Sequence, residues 1–188
     1  MNTDTLRVDV WSDIACPWCF IGKRRFEAGE AAWRESAGSD APAVDLVFHS
    51  FELAPDTPED FEGDEADYLA RHKGIDAAQA QQMLDHVTGI AQSVGLEYRF
   101  DLLQHTNTVK AHELIHFAAS QGRQLDMTER LMSAYFTEGR HLGRDEELVS
   151  LAAEIGLDPE AAASALTERT FHDDVTADEQ QARELGIN

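Results

Sequence analysis

The order of three segments near the start of the chain limits its fold more than any other feature. LRVDVWSD, residues 6 to 13, places Leu6, Val8 and Val10 on one side of an alternating run, the period of a β-strand. AVDLVFHSFEL, from Ala43 to Leu53, is a second apolar run and follows the turn-like GSDAP of Gly38 to Pro42. Between them, Pro17 to about Ser36 has no interior proline and carries Phe20, Phe26 and Trp33 at helical spacing. Strand, helix, strand in this order predicts a βαβ unit, whose crossover is nearly always right-handed.

Beyond Pro55 the character changes, and almost everything from about Asp64 to Gly186 reads as helix. Gly95, Gly122, Gly139, Gly156 and Gly186 stand where C-caps belong, and Asp158-Pro159-Glu160 is a helix start with aspartate as cap and proline in the first turn. The outline is two strands followed by six or so helices. A two-stranded sheet is marginal on its own, so this balance is unusual. At 188 residues the chain fits one domain, or a core domain carrying an insertion.

Charge excludes several partners. The 36 acidic and 15 basic residues give a formal net charge of −21, and such a surface repels nucleic acid and anionic lipid, whose binding begins with clustered positive charge. Lys23-Arg24-Arg25 is the one basic run, and it is expected on the solvated face of a helix. MNTDTLRVDVWSD carries two acidic residues before position 10 and no apolar run of signal-peptide length, and no stretch approaches a membrane span. The reading is a cytoplasmic protein.

SDIACPWCF, residues 12 to 20, holds both cysteines of the chain. Residues three apart on a helix share a face, so a helix beginning at Cys16 or Pro17 lets the two sulfurs meet. Pro17 suits the first helical position, where no amide hydrogen is required. Cys16 then occupies the N-terminal cap, where free amides and the helix dipole favour a thiolate. Cys19, one turn inside, is expected to be the more shielded thiol and to resolve a mixed disulfide formed at Cys16. As a structural staple the pair would close so short a loop that it adds only roughly 2 kcal/mol. As half of a zinc site it would need two further ligands, with His49 the first candidate. A CxxC at a strand-to-helix junction in a βαβ setting points instead to thioredoxin-like redox chemistry.

HELIH, residues 112 to 116, matches the H-E-x-x-H pattern in which two histidines bind zinc and the glutamate activates water. The extended form of that motif is absent, because Ala119 and Gly122 occupy its glycine and third-histidine positions. Glu129, Glu138 and His141 are the downstream candidates for a third ligand. The competing reading is an amphipathic helix whose apolar face comprises Val109, Leu114, Ile115, Phe117 and Ala118, with histidines at its edge.

SDIACPWCFIGKRRFE resembles the opening of DsbA-like thioredoxin-fold proteins of the FrnE type, a branch related to 2-hydroxychromene-2-carboxylate isomerase and kappa-class glutathione transferase. The likeness continues through FHSFELAPD at 48 to 56, NTVKAHELIHFA at 107 to 118, AYFTEG at 134 to 139 and the GLDPEA region at 156 to 161. The resemblance implies an α/β thioredoxin-like fold with a large inserted all-helical domain. Residues 1–60 would form the N-terminal βαβ part, 61–170 the helical insertion and 171–188 a return helix towards the rest of the core. Family members continue past the equivalent of Glu184 to Ile187 into a cis-proline loop facing the CxxC, a β-hairpin and a last helix. None of the five prolines here, Pro17, Pro42, Pro55, Pro58 and Pro159, can play that part. The sequence is therefore expected to lack that portion and to leave the second strand without a neighbour on its far side.

The isomerase and transferase relatives use a serine at the catalytic turn and bind glutathione there, whereas this chain has Cys16 and Cys19. These readings predict a thiol-disulfide oxidoreductase with Cys16 as nucleophile and Cys19 as resolving thiol. Pro17 and Trp18 would tune the helix terminus and cover the dithiol. The resemblance places Phe51 and Leu53 along a substrate groove, with Asn107 and His112 behind the site, where capping and helix packing also account for them. The only cofactor is the redox-active Cys16–Cys19 pair, with glutathione compatible as co-substrate and no metal. The partner is a thiol or disulfide, protein or small molecule, and neither nucleic acid nor membrane. The alternatives are glutathione-dependent isomerase or transferase activity on a small aromatic or polyketide-like substrate, a zinc hydrolase acting through HELIH, and a non-catalytic module.

Overall fold

A computed structural model describes residues 5–38 and 41–187. Strands β1 (Leu6–Ser12) and β2 (Val44–Ser50) run parallel, in register from Leu6 against Val44 to Ser12 against Ser50. Helix α1 (Pro17–Ala37) is the crossover between them, so the βαβ unit forms where expected. Seven further α-helices follow among the described residues: α2 (Glu65–Lys73), α3 (Ala77–Ser93), α4 (Val109–Ser120), α5 (Gln124–Ser133), α6 (Asp145–Glu154), α7 (Pro159–Thr167) and α8 (His172–Leu185). A π-helical turn, Ala134–Glu138, extends α5.

Local chemistry sets these boundaries. Capping boxes start α2 at Asp64 with Asp67 and α3 at Asp76 with Gln79. Asp158 accepts from the amides of Glu160 and Ala161 ahead of Pro159 in α7. The five glycines expected as stops all lie at positive φ just past helical segments.

Ile14, Phe20 and Ile21 share one contiguous apolar cluster with Leu114 of α4, Leu131 of α5 and Leu151 of α6, so the βαβ unit does not rely on its small sheet. At the centre lies α4, seven of whose twelve residues are buried. This corrects the amphipathic reading: His112 and Glu113 are each 1% exposed, inside the molecule and not at a helix edge. The reason is that α5, α6, α7 and α8 all pack against α4, so little of it is left to water.

The basic run also departs from expectation. Lys23 is 7% exposed, and together with Arg24 it grips Glu129 of α5, the Lys23–Glu129 contact being 2.7 Å. The pair clamps α1 to the helical body. The far edge of β2 is covered as well: the Gln124 side chain accepts from the Phe48 amide at 3.1 Å and donates to its carbonyl at 2.9 Å, and Asp178 accepts from the Ser50 amide at 2.8 Å. Strand β1 has no second strand partner among the described residues. No helix among them is long and apolar enough to cross a membrane.

Candidate active site

The loop between β1 and α1 carries the two cysteines. Cys16 has extended backbone (φ −92°, ψ 112°) and caps α1, and Pro17 opens the first turn. The Tyr98 hydroxyl donates to the Pro17 carbonyl at 2.7 Å, tying the turn to the helical body. Both cysteines are free thiols, and the Cys19 amide donates to the Cys16 carbonyl at 3.1 Å, which holds the two residues together in the first turn. Trp18, between them, is 51% exposed.

The thiols face different surroundings, and the shielding expected from the sequence is reversed. Cys16 is the more buried and opens into a cavity of about 310 Å³ that Trp18, Leu53, Tyr68 and Met83 also line. Cys19 is half-buried on the opposite side, in a separate pocket with Val10, Phe26 and Leu46. That side of α1 lies along the sheet next to β1, which has no further strand beside it among the described residues, so Cys19 keeps some exposure.

Each thiol shifts the ionisation of the other. The hydrogen bond from Cys16 brings Cys19 down to about 6, with burial opposing and the Ser12 hydroxyl adding to the effect. The same bond to Cys19 pushes Cys16 up, reinforced by burial and by the Cys19 charge, while the amides of Cys19 and Trp18 pull the Cys16 sulfur the other way. The two thiols are therefore coupled, and the first ionisation belongs to the pair and not to either sulfur alone.

Asp13 organises the loop. Its fully buried carboxylate accepts from the Leu53 amide at 2.8 Å, the Thr108 hydroxyl at 2.9 Å and the Ala15 amide at 3.2 Å. Burial alone would raise its pKa. The His112 imidazole, whose Nε2 lies 3.5 Å away, and the two amides outweigh that and hold the carboxyl below the usual carboxylate range. His112 therefore stands behind the cysteine loop, in contact with Asp13. Glu52 lies in the same polar region, and burial pushes it up to about 7, with His112 opposing and the charges of Glu179 and Asp13 adding.

Of the other residues singled out from the sequence, Leu53 lines the cavity that Cys16 enters, whereas Phe51 is not among the residues lining it. Asn107 donates to the Pro55 carbonyl at 3.0 Å and accepts from the Val109 amide at 2.9 Å, so it fastens the start of α4 to the loop after β2. Sequence reasoning passed over Asp13, Tyr98, Thr108 and Glu52. Only Asp13 carried a signal, an aspartate three residues before the CPWC run.

HELIH does not assemble a ligand set. His116 Nε2 contacts Asp178 at 3.1 Å, Glu113 is turned to Arg169 at 2.6 Å, and His112 faces Asp13. The downstream candidates are engaged elsewhere: Glu129 by Lys23 and Arg24, Glu138 by Arg130 and His141 by Asp60.

The chain belongs to the DsbA-like thioredoxin domain family, whose model matches residues 7–188. It is similar to a probable DsbA oxidoreductase from Streptomyces coelicolor, with 37% identity and a TM-score of 0.87, covering 96% of this chain and 76% of that one. The uncharacterized protein YwbO of Bacillus subtilis (strain 168) is 30% identical over 170 residues, covering 90% of this chain and 76% of that protein. A cytosolic disulfide reductase, DsbM from Pseudomonas aeruginosa, shares the fold at a TM-score of 0.62 and 20% identity, covering 97% of this chain and 80% of that one.

Proposed function

We propose that this protein is a thiol-disulfide oxidoreductase acting through Cys16 and Cys19. The observation that carries this reading is two free thiols close together at the start of α1, one of them opening into an apolar cavity. Family membership supports it.

The chemistry follows from where the sulfurs face. The proton between them moves to Cys19, which frees a Cys16 thiolate held by the amides of Trp18 and Cys19. Cys16 Sγ attacks one sulfur of a substrate disulfide, and the S–S bond of the substrate breaks as the new one forms. The leaving sulfur takes the electron pair and a proton. Cys19, losing its proton, then attacks Cys16 Sγ and releases the second substrate thiol. Two protein sulfurs are oxidised and one substrate disulfide is reduced, and the reverse sequence makes a disulfide. A cytoplasmic location belongs to the same proposal, and the DsbM neighbour is described as cytosolic.

Cys16→Ser is expected to abolish disulfide exchange, and Cys19→Ser to accumulate a mixed disulfide with a model substrate, read by intact-protein mass spectrometry. Normal turnover by the Cys16→Ser protein would overturn the proposal.

A further inference from the structure

The cavity beside Cys16 has a rim that the redox reading leaves unexplained. Trp18, Leu53 and Met83, three large apolar side chains that are 51%, 54% and 42% exposed, all stand around it. Exposed apolar groups gathered at one concave surface mark a place where a ligand's apolar body is covered. On the same surface lie Lys73 and His72 at the end of α2 and His86 within α3.

These bases stand out in a chain of net charge −21. Lys23 is gripped by Glu27 and Glu129, and Lys110 by Asp145 and Glu59, whereas Lys73 forms no ion pair among the described residues. Complementing the helix dipole accounts for cations in the last turn of α2 but not for His86, which belongs to another helix. The two acidic groups that reach the cavity are already engaged: Asp13 by amides and the Thr108 hydroxyl, and Glu65 by His105 at 2.8 Å. They do not neutralise the rim.

We infer that the cavity selects a small disulfide or thiol with a flat apolar body and a carboxylate, the body lying against Trp18, Leu53 and Met83 and the anion meeting Lys73, His72 and His86. This rests on the proposed function and names its substrate class. The surrounding negative surface discourages anions elsewhere, so the rim is also where an anionic substrate is drawn in.

Two measurements separate the cavity from the chemistry. In equilibrium dialysis with the reduced protein, para-nitrobenzoate is expected to bind at least about tenfold more tightly than uncharged para-nitrobenzamide. A His72→Gln, Lys73→Met, His86→Gln triple variant should lose that preference with its circular dichroism unchanged, because all three side chains are exposed. In single turnover of the pre-reduced protein, the triple variant should react about tenfold more slowly with dithiobis(nitrobenzoate) and within about twofold of wild type with neutral dithiodipyridine. Equal binding of the two nitro compounds, or equal loss of both rates, overturns the anion site. A benzoate preference that the triple variant loses, with neither disulfide reacting faster than it does with free cysteine, upholds the cavity assignment and overturns the dithiol reading instead.

Discussion

Cys16 and Cys19 ionise as a coupled pair, and the first ionisation can be followed directly. Thiolate absorbance followed against pH is expected to show a single ionisation near 6, and Cys16→Ala should move it upward, because Cys19 then keeps its burial and loses its donor. A second residue-scale prediction concerns Asp13. Asp13→Asn is expected to cost about 1.5–3 kcal/mol in urea unfolding at pH 7, the scale of hydrogen bonds to a charged group. The folded pKa of Asp13 is depressed, so its contribution is present above the unfolded value of about 3.9 and fades as pH falls through the lower folded value. The gap between wild type and variant should be level from pH 5 to 7 and shrink below pH 4. Glu52 has the opposite sign: its folded pKa of about 7 lies above the unfolded one, so stability drains away as pH rises between them. Glu52→Gln should therefore gain about 1 kcal/mol over wild type at pH 8 and little at pH 5, the figure discounted for its partial exposure.

At the scale of elements, α8 is held to the sheet largely through one residue. Asp178 accepts from the Ser50 amide at 2.8 Å and meets His49 at 2.7 Å and His116 at 3.1 Å, and its carbonyl accepts from the Trp11 indole at 3.1 Å. Burial would raise its carboxyl, but His116, the Ser50 amide and His49 hold it below the usual range. Asp178→Ala is expected to destabilise by about 1.5–3 kcal/mol and to raise hydrogen exchange first in α8. None of this was visible beforehand, because the partners come from three elements far apart in sequence. The starts of α1 and α7 and the five glycine stops were visible, since caps and glycines act within a few residues of themselves, and so was the meeting of the two sulfurs. The burial of Lys23 and His112 was not: a helix surface reads as wet until the elements packed on it are known, and their arrival turned a solvated basic run into a clamp and a helix edge into an interior.

For the molecule as a whole, charge dominates. With a net charge of −21, the folded state repels itself, and this repulsion is screened over a Debye length of about 10 Å at 0.1 M salt. The melting temperature is expected to rise by several degrees between 10 mM and 0.3 M sodium chloride, checked by calorimetry at pH 7.5. An unchanged melting temperature would mean that the local ion pairs already balance the acidic excess. Gln124 adds a different kind of protection. Its amide copies the hydrogen-bonding pattern of a neighbouring strand along β2, so the seam there is sealed by a side chain that one base change can remove. Without it the loss would register in company more than in isolation: two molecules meeting edge to edge could zip together, and light scattering that grows with protein concentration would expose the fault sooner than any unfolding curve.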